Sequence, residues 1–273
     1  MENTKFYDSA HPRHPFLEEM RGLWRYRDLV WLLVWRNLTV RYKRSFLGAL
    51  WSLMDPLLTM VIMAIVFSAL LSRKIPFFPV YLFSGLLMFN FFFQGTQNAI
   101  ANFEQAGRLL TKVYLPRSAF VIVSITEALV NLLIGIGIMS GLAVIEGLPF
   151  AWTWLSLPLA LFIGFIAATG VALALAPLSV LYADVKNIYV ALLRLVMYLS
   201  AIFYQVDMFS GWTRKLIEFN PLYHLVLLLR EPVYGHQWPG AESIAYVSLF
   251  AIVAWVAGWW LFLRFIDEAI LTL

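Results

Sequence analysis

Residues 27–71 read RDLVWLLVWRNLTVRYKRSFLGALWSLMDPLLTMVIMAIVFSALL. The first half alternates apolar and basic residues and ends in a basic knot, Arg41, Tyr42, Lys43 and Arg44. The second half is an apolar run of roughly 20 residues, long enough to cross the hydrocarbon of a bilayer. Basic residues hold the near end of such a run at the cytoplasmic surface. This junction therefore sets depth and direction for everything that follows. Gly48 is a flexible point, and Asp55-Pro56 reads as a helix start just inside the apolar run.

Composition points the same way. Of 273 residues, 62% are hydrophobic and 13% charged, too apolar for a chain that must cover a water-facing surface. There is no cysteine, which excludes disulfides and thiolate metal sites. The net charge of +4 is small, and its placement speaks for membrane topology and against nucleic acid. A polar stretch precedes the first long apolar run, so no cleavable signal is expected. His11-Pro12 and His14-Pro15 lie in a polar tail with no third ligand near for a metal.

From Met20 to Gly48, Leu23, Trp24, Leu29, Trp31, Leu32, Trp35 and Leu38 are set against Arg21, Arg25, Arg27, Arg36 and Arg41. That pattern predicts an amphipathic helix lying in the headgroup plane. Apolar spans are expected over about 51–71, 80–100, 117–145, 154–181, 188–204 and 243–263. A polar segment, 101–116, separates the second and third. Two short semi-apolar pieces, Trp212 to Phe219 and Leu222 to Tyr234, are too short to span and suit interfacial or re-entrant helices. The expected fold is all-α and integral to the membrane. It has six transmembrane helices, an N-terminal interfacial helix, and short re-entrant or interfacial helices before the last span. One domain covers 1–273, with 1–50 as tail and interfacial helix and 51–273 as the bundle. Lys and Arg concentrate before the first span and between the second and third, which places both termini in the cytoplasm.

No Gly-rich Lys-Ser/Thr loop occurs, so any nucleotide chemistry belongs to another chain. Ser/His/Asp order, HExxH and paired carboxylates are likewise absent, and no catalytic residue or metal ligand is assigned. Glu127, Asn131 and Arg194 fall inside spans, where a charge should face protein or water. A Glu127–Arg194 pair, a transport-path contact and plain structural glue between helices are all open readings. Gly137, Gly141, Gly164, Ala168 and Ala172 would let helices approach closely. Tyr189, Tyr198, Phe203 and Tyr204, with Trp51 and Phe67, offer flat apolar faces over which a sugar could slide.

Residues 33–58, LVWRNLTVRYKRSFLGALWSLMDPLL, resemble the opening signature of polysaccharide- and polyol-phosphate-exporting ABC permeases. Val113-Tyr-Leu-Pro-Arg117 is similar to the family's lead into its third span. Asn220-Pro-Leu-Tyr-His224 with Leu229-Arg-Glu-Pro-Val-Tyr-Gly235 is similar to its extracellular gate. The likeness covers about residues 25–270 and departs at Asp55, where the family pattern has an amide.

This resemblance implies a homodimer of six-span subunits in the bacterial inner membrane. Two copies of a separate ABC ATPase would carry ATP and Mg, with no cofactor on this chain. Asn102, Phe103, Glu104, Arg108, Leu109, Leu110 and Lys112 would form the coupling helix. Arg36, Arg41, Tyr42, Lys43 and Arg44 would form a cytoplasmic collar admitting a lipid-linked glycan. The first and fifth spans would line a channel, and Asn220, Pro221, His224, Arg230 and Glu231 would narrow its outer exit. Competing expectations are an exporter of a drug or lipid with the same architecture, a glycan-modifying membrane enzyme, and a passive scaffold.

Overall fold

The computed structural model describes residues 15–42, 51–68, 75–110 and 116–272. The regular elements among them are all helices. The axis of the fold is α4, Phe78–Leu110. Its 33 residues extend about 50 Å at the usual rise per residue. Leu82, Phe83, Met88, Ile100 and Phe103 along it are fully buried. Around it pack α5 (Ala119–Glu146), α6 (Leu157–Leu181) and the short α9 (Pro221–Val233). The polar segment from Ala101 was expected as a separate loop helix. Through Leu110 it instead continues α4 without a break, because Phe103 keeps helical register with the apolar face above it.

The longest contact in the bundle joins α6 to α10, Ala241–Thr272. Two glycines make it possible. A Cβ on Gly258 would stand 2.1 Å from the Gly170 carbonyl oxygen, and one on Gly170 would stand 2.4 Å from the backbone of Ala254. The helices thus cross backbone on backbone. Gly164 admits Met88 and Phe91 of α4, as expected. Gly137 and Gly141 do not serve close packing within the chain: both lie on an open face of α5 with nothing within 4 Å. At the end of α5, Gly147 turns left-handed at φ 81°. The Leu148 amide then reaches back 2.8 Å to the Ala143 carbonyl, which satisfies an orphan acceptor of the last turn.

The N-terminal segment forms two helices, α1 (Pro15–Arg25) and α2 (Arg27–Tyr42), broken at Tyr26. Phe16 of α1 wedges edge-on against Trp255 and Trp259 of α10. Glu19 accepts from Ser118 Oγ at 2.8 Å, and Arg117 pairs with Asp267. These contacts gather α1, the start of α5 and the end of α10 on one face of the bundle. The second helix, α2, was expected to be amphipathic and to lie in the headgroup plane. It is apolar on two sides: Leu33, Val34 and Leu38 seat on Val123 and Val130 of α5, while Trp31, Leu32, Trp35 and Val40 face outward.

Among the described residues, four helices are long and apolar enough to cross a membrane: 78–105, 119–146, 152–181 and 241–272. The first expected span appears as α3, Trp51–Ser68, which starts at Trp51, five residues before Pro56. Its apolar stretch over Leu57–Val66 is shorter than the other four. The fifth is α7, Asp184–Leu199, which ends before Ser200. Its 16 residues reach about 24 Å, less than the hydrocarbon thickness. Helix α8 (Gly211–Glu218) and α9 match the two short pieces expected before the last span.

Candidate functional site

Helix α7 is the least embedded of the long elements, and its environment defines the site. Leu193 is its one buried residue. Ile188, Leu192, Arg194, Leu195 and Tyr198 face away from the bundle. On α3, Leu58, Val61, Ile62, Ile65 and Val66 are similarly uncovered. Arg194 stands on this open face, whereas Glu127 is buried on α5 and accepts from Asn37 Nδ2 of α2 at 2.7 Å. The two therefore form no pair. Asn37 in turn accepts from Arg36 Nη2 at 3.0 Å, so a cation, an amide and a carboxylate run inward in sequence.

Polar contacts hold α7 at both ends. At its start, Lys186 Nζ lies 3.1 Å from Glu104 Oε2 of α4. One turn on, the Tyr189 hydroxyl donates to Thr96 Oγ1 at 2.7 Å; the Thr96 hydroxyl in turn donates a hydrogen bond to the Phe92 carbonyl. At its end, the chain turns through Ser200 to Tyr204, with Ala201 left-handed at φ 48°. Arg230 of α9 donates Nη1 to the Ala201 carbonyl at 2.8 Å and Nη2 to the Ile202 carbonyl at 3.3 Å. Tyr81 of α4 donates to the Tyr204 carbonyl, and Asn220 Nδ2 donates to Ser200 Oγ at 2.9 Å.

Arg230 is 4% exposed, and among the described residues no carboxylate pairs with it. Its charge is matched by the carbonyls of the turn that follows α7 and by the face of Tyr81. Gly85 opens the way for it, since a Cβ there would lie 2.2 Å from Nη2.

The expected gate residues are brought together here as braces. Asn220 caps α9, its Oδ1 accepting from the Leu222 amide at 3.0 Å, and Pro221 opens the helix. His224 Nε2 donates to the Glu218 carbonyl at 2.7 Å, which leaves Nδ1 to accept from Ser243 Oγ at 3.0 Å. Glu231 Oε2 accepts from the Gly240 amide at 3.0 Å. Burial pushes the Glu231 carboxyl above its usual range, and the Gly240 hydrogen bond offsets part of that.

The other candidates are dispersed. Phe103 is buried edge-on to Phe262 and is core, with no surface to offer a partner. Asn102 Nδ2 donates to Ser124 Oγ of α5 at 2.8 Å, and Glu104 is engaged by Lys186. Tyr189 turns into the bundle. Tyr198 stays on the open face, 6.1 Å centroid to centroid from Phe203. The Tyr204 ring packs on Phe209 at 4.8 Å. Arg36 is exposed on α2. The side chains of Arg41, Tyr42, Trp51, Phe67, Arg108, Leu109 and Leu110, and all of Lys43, Arg44 and Lys112, lie outside the described residues. Reading the sequence missed Tyr81, Gly85, Thr96, Lys186 and Ser200. The available signal was Arg230 itself: a lone cation in an apolar stretch requires acceptors nearby.

This is a packed arrangement: helices hung on a central rod by paired polar contacts, with two apolar faces uncovered among the described residues. Comparison with known proteins assigns it. The family model for the ABC-2 type transporter matches residues 28–234. The chain belongs to the ABC-2 type transporter family. Its ABC-2 relatives include the O-antigen export system permease protein RfbA of Myxococcus xanthus, 27% identical over 87% of this chain and 93% of that protein. An RfbA of the same description from Klebsiella pneumoniae is 26% identical over 81% of this chain and 85% of its own length. The polysialic acid transport protein KpsM of Escherichia coli is 25% identical over 87% and 93%. The resemblance drawn from residues 33–58, 113–117 and 220–235 to polysaccharide-exporting ABC permeases thus holds. As an ABC-2 chain it is a multi-pass membrane permease.

Proposed function

We propose that this ABC-2 chain is the permease subunit of an ATP-driven exporter that moves a lipid-linked polysaccharide, of O-antigen or teichoic-acid type, across the bacterial cytoplasmic membrane. Two copies pair, each with six spans and cytoplasmic termini, and two copies of a separate ATPase supply ATP and Mg. The two shorter helices with uncovered faces, α3 and α7, complete the six spans once a second copy and lipid cover them. The inner end of α4, with Arg108, Leu109 and Leu110, meets the ATPase, and Lys112 belongs to the same docking segment. The segment Arg36 to Arg44 forms the collar at which substrate enters. ATP-driven closure of the partner displaces the end of α4, and the population shifts toward a state in which the α3 and α7 faces part around a channel. No bond is made or broken by this chain.

The observation that carries the reading is the match, over more than four-fifths of the chain, to relatives named for polysaccharide export. The uncovered α7 face, with Tyr198 and Phe203 at its outer end, supports a passage along that helix. The test is replacement of the gene in its host, with surface polysaccharide measured by lectin or antibody binding to intact cells. Export is expected to disappear without the chain and to return with it. A surface unchanged by deletion would overturn the reading. ATP hydrolysis by the co-purified ATPase, with Leu109 and Leu110 changed to aspartate, tests the docking site: association is expected to fail.

A further inference from the structure

Glu104 lies in the segment where the ATPase is expected to dock, yet its carboxylate is turned to Lys186 at the start of α7. We propose that Glu104–Lys186 and Thr96–Tyr189 are the two rungs of a tie that makes α7 follow the inner end of α4. This rests on the export reading above and assigns that machinery its transmission contact.

Three observations carry it. First, α4 is one continuous helix to Leu110, so a push on its inner end reaches Glu104 and Thr96 without a hinge between. Second, the apolar seat of α7 on the bundle is narrow: Leu193 is buried, and Tyr189, Val196 and Met197 are partly so. On so narrow a seat the directional polar contacts set how the helix is turned. Third, Lys186 and Tyr189 are one turn apart on α7 and engage α4 at two separate heights. One contact would fix a distance, whereas two also fix the roll of the helix and hence the direction its open face points. An ion pair this exposed adds little to stability. Its use is to transmit position.

The contacts on the other sides of Glu104 leave room for this role. Asn102 is held by Ser124 of α5 and Phe103 by Phe262 of α10. The inner part of α4 is thus gripped on two sides, and the third side is left to α7.

The test is charge reversal in the full complex, expressed in the host and purified with its ATPase. Glu104→Lys and Lys186→Glu are each expected to cut surface polysaccharide at least about tenfold. ATP hydrolysis and co-purification of the ATPase stay within about twofold, a loss of export per ATP that a merely structural contact would not produce. The double variant, with the charges exchanged, restores export to within about twofold of the native chain. Single variants that export normally, or an exchange that restores nothing, overturn the tie. Loss of ATPase capture by Glu104→Lys alone would assign Glu104 to docking and also overturn it. Should either reversal lower the amount of chain in the membrane, Tyr189→Phe decides. It removes one hydroxyl and is expected to reduce export per ATP, and wild-type export would reject the second rung and with it the proposal. Polysaccharide unaffected by deletion of the whole gene would reject the export reading itself, and the tie with it.

Discussion

The guanidinium carbon of Arg230 lies 3.8 Å from the centroid of the Tyr81 ring, while its Nη1 is bonded to the Ala201 carbonyl. The cation is sandwiched between α4 and the turn that follows α7, and it supplies hydrogen bonds that these buried loop carbonyls would otherwise lack. Because no carboxylate among the described residues shares the site, its worth lies in geometry and not in net charge. Arg230→Met is expected to strand the Ile202 carbonyl and to leave the Ala201 carbonyl only the Tyr81 hydroxyl, 3.2 Å away, at a cost of roughly 1–3 kcal/mol. Arg230→Lys, with a point charge and no planar fork, should recover only part of that. Melting of the purified chain in detergent measures both, and equal melting of native and Met variants would refute the brace.

Gly85→Ala tests the same site from the other side. Its Cβ would fall on Nη2 at 2.2 Å, so the arginine must leave its acceptors. The expected outcome is a melting temperature lowered toward that of Arg230→Met. The double variant should be little worse than either single change, since both act through one contact.

Asn37 donates to a carboxylate buried on α5, and a hydrogen bond to a charged group contributes about 1.5–3 kcal/mol. Asn37→Ala should loosen α2 from α5. The chain has no cysteine, so Val34→Cys, at a site 1% exposed, reports alone. Maleimide labelling of Val34→Cys is expected to speed up when Asn37→Ala is added. Unchanged labelling would mean that Leu33, Val34 and Leu38 suffice to hold the helix.

Glu231→Gln should stabilise the chain at high pH. The carboxyl is raised in the folded state, so its proton is bound more tightly there than in the unfolded chain. Ionisation therefore costs stability once the pH climbs past the ordinary carboxyl value, and that cost is fully present above the raised value. Glutamine keeps an acceptor for the Gly240 amide and carries no charge. Melting curves of the two proteins should converge in acid and separate toward neutral pH, with the Gln variant higher. The opposite order would show that the ionised form is the one the fold prefers.

Gly170→Ala and Gly258→Ala place a methyl group inside a backbone contact, where overpacking typically costs about 1–3 kcal/mol and no rotamer can give way. Either change should reduce the amount of folded chain in the membrane. Gly141→Ala, on the open face of α5, should not do so in the isolated chain.

Much of the end of the bundle that holds Gly147 and α9 was legible in the sequence. Gly147, Asn220-Pro221 and the short apolar pieces around them carry local turn and cap chemistry, and the helices begin and end where that chemistry directs. The opposite end was less so. Polarity over 101–110 suggested a helix separate from the span before it, but Phe103 continues the buried stripe of α4, and a stripe counts more than average polarity. The pairing of Glu127 followed from depth alone, and depth does not say which neighbour arrives; Asn37 came from a helix thought to lie on the surface. Tyr81 and Arg230 are far apart in the chain, and Gly170 and Gly258 look like any small residues in apolar helices. Contacts of this kind depend on how helices cross, which local pattern does not encode.

The crossing of α6 and α10 has one more consequence. With no side chain between Gly170 and Gly258, the two helices have no rotamers to exchange and no layer over which to slide. They move as a single plank, and so does whatever is fastened to them. The subunit's internal freedom is thereby left largely to parts with no extended contact to that plank, such as α2 and α3, and to α7, which rests on it more lightly than α4, α5 or α9 do; a cycle of shapes would be written mainly in their positions.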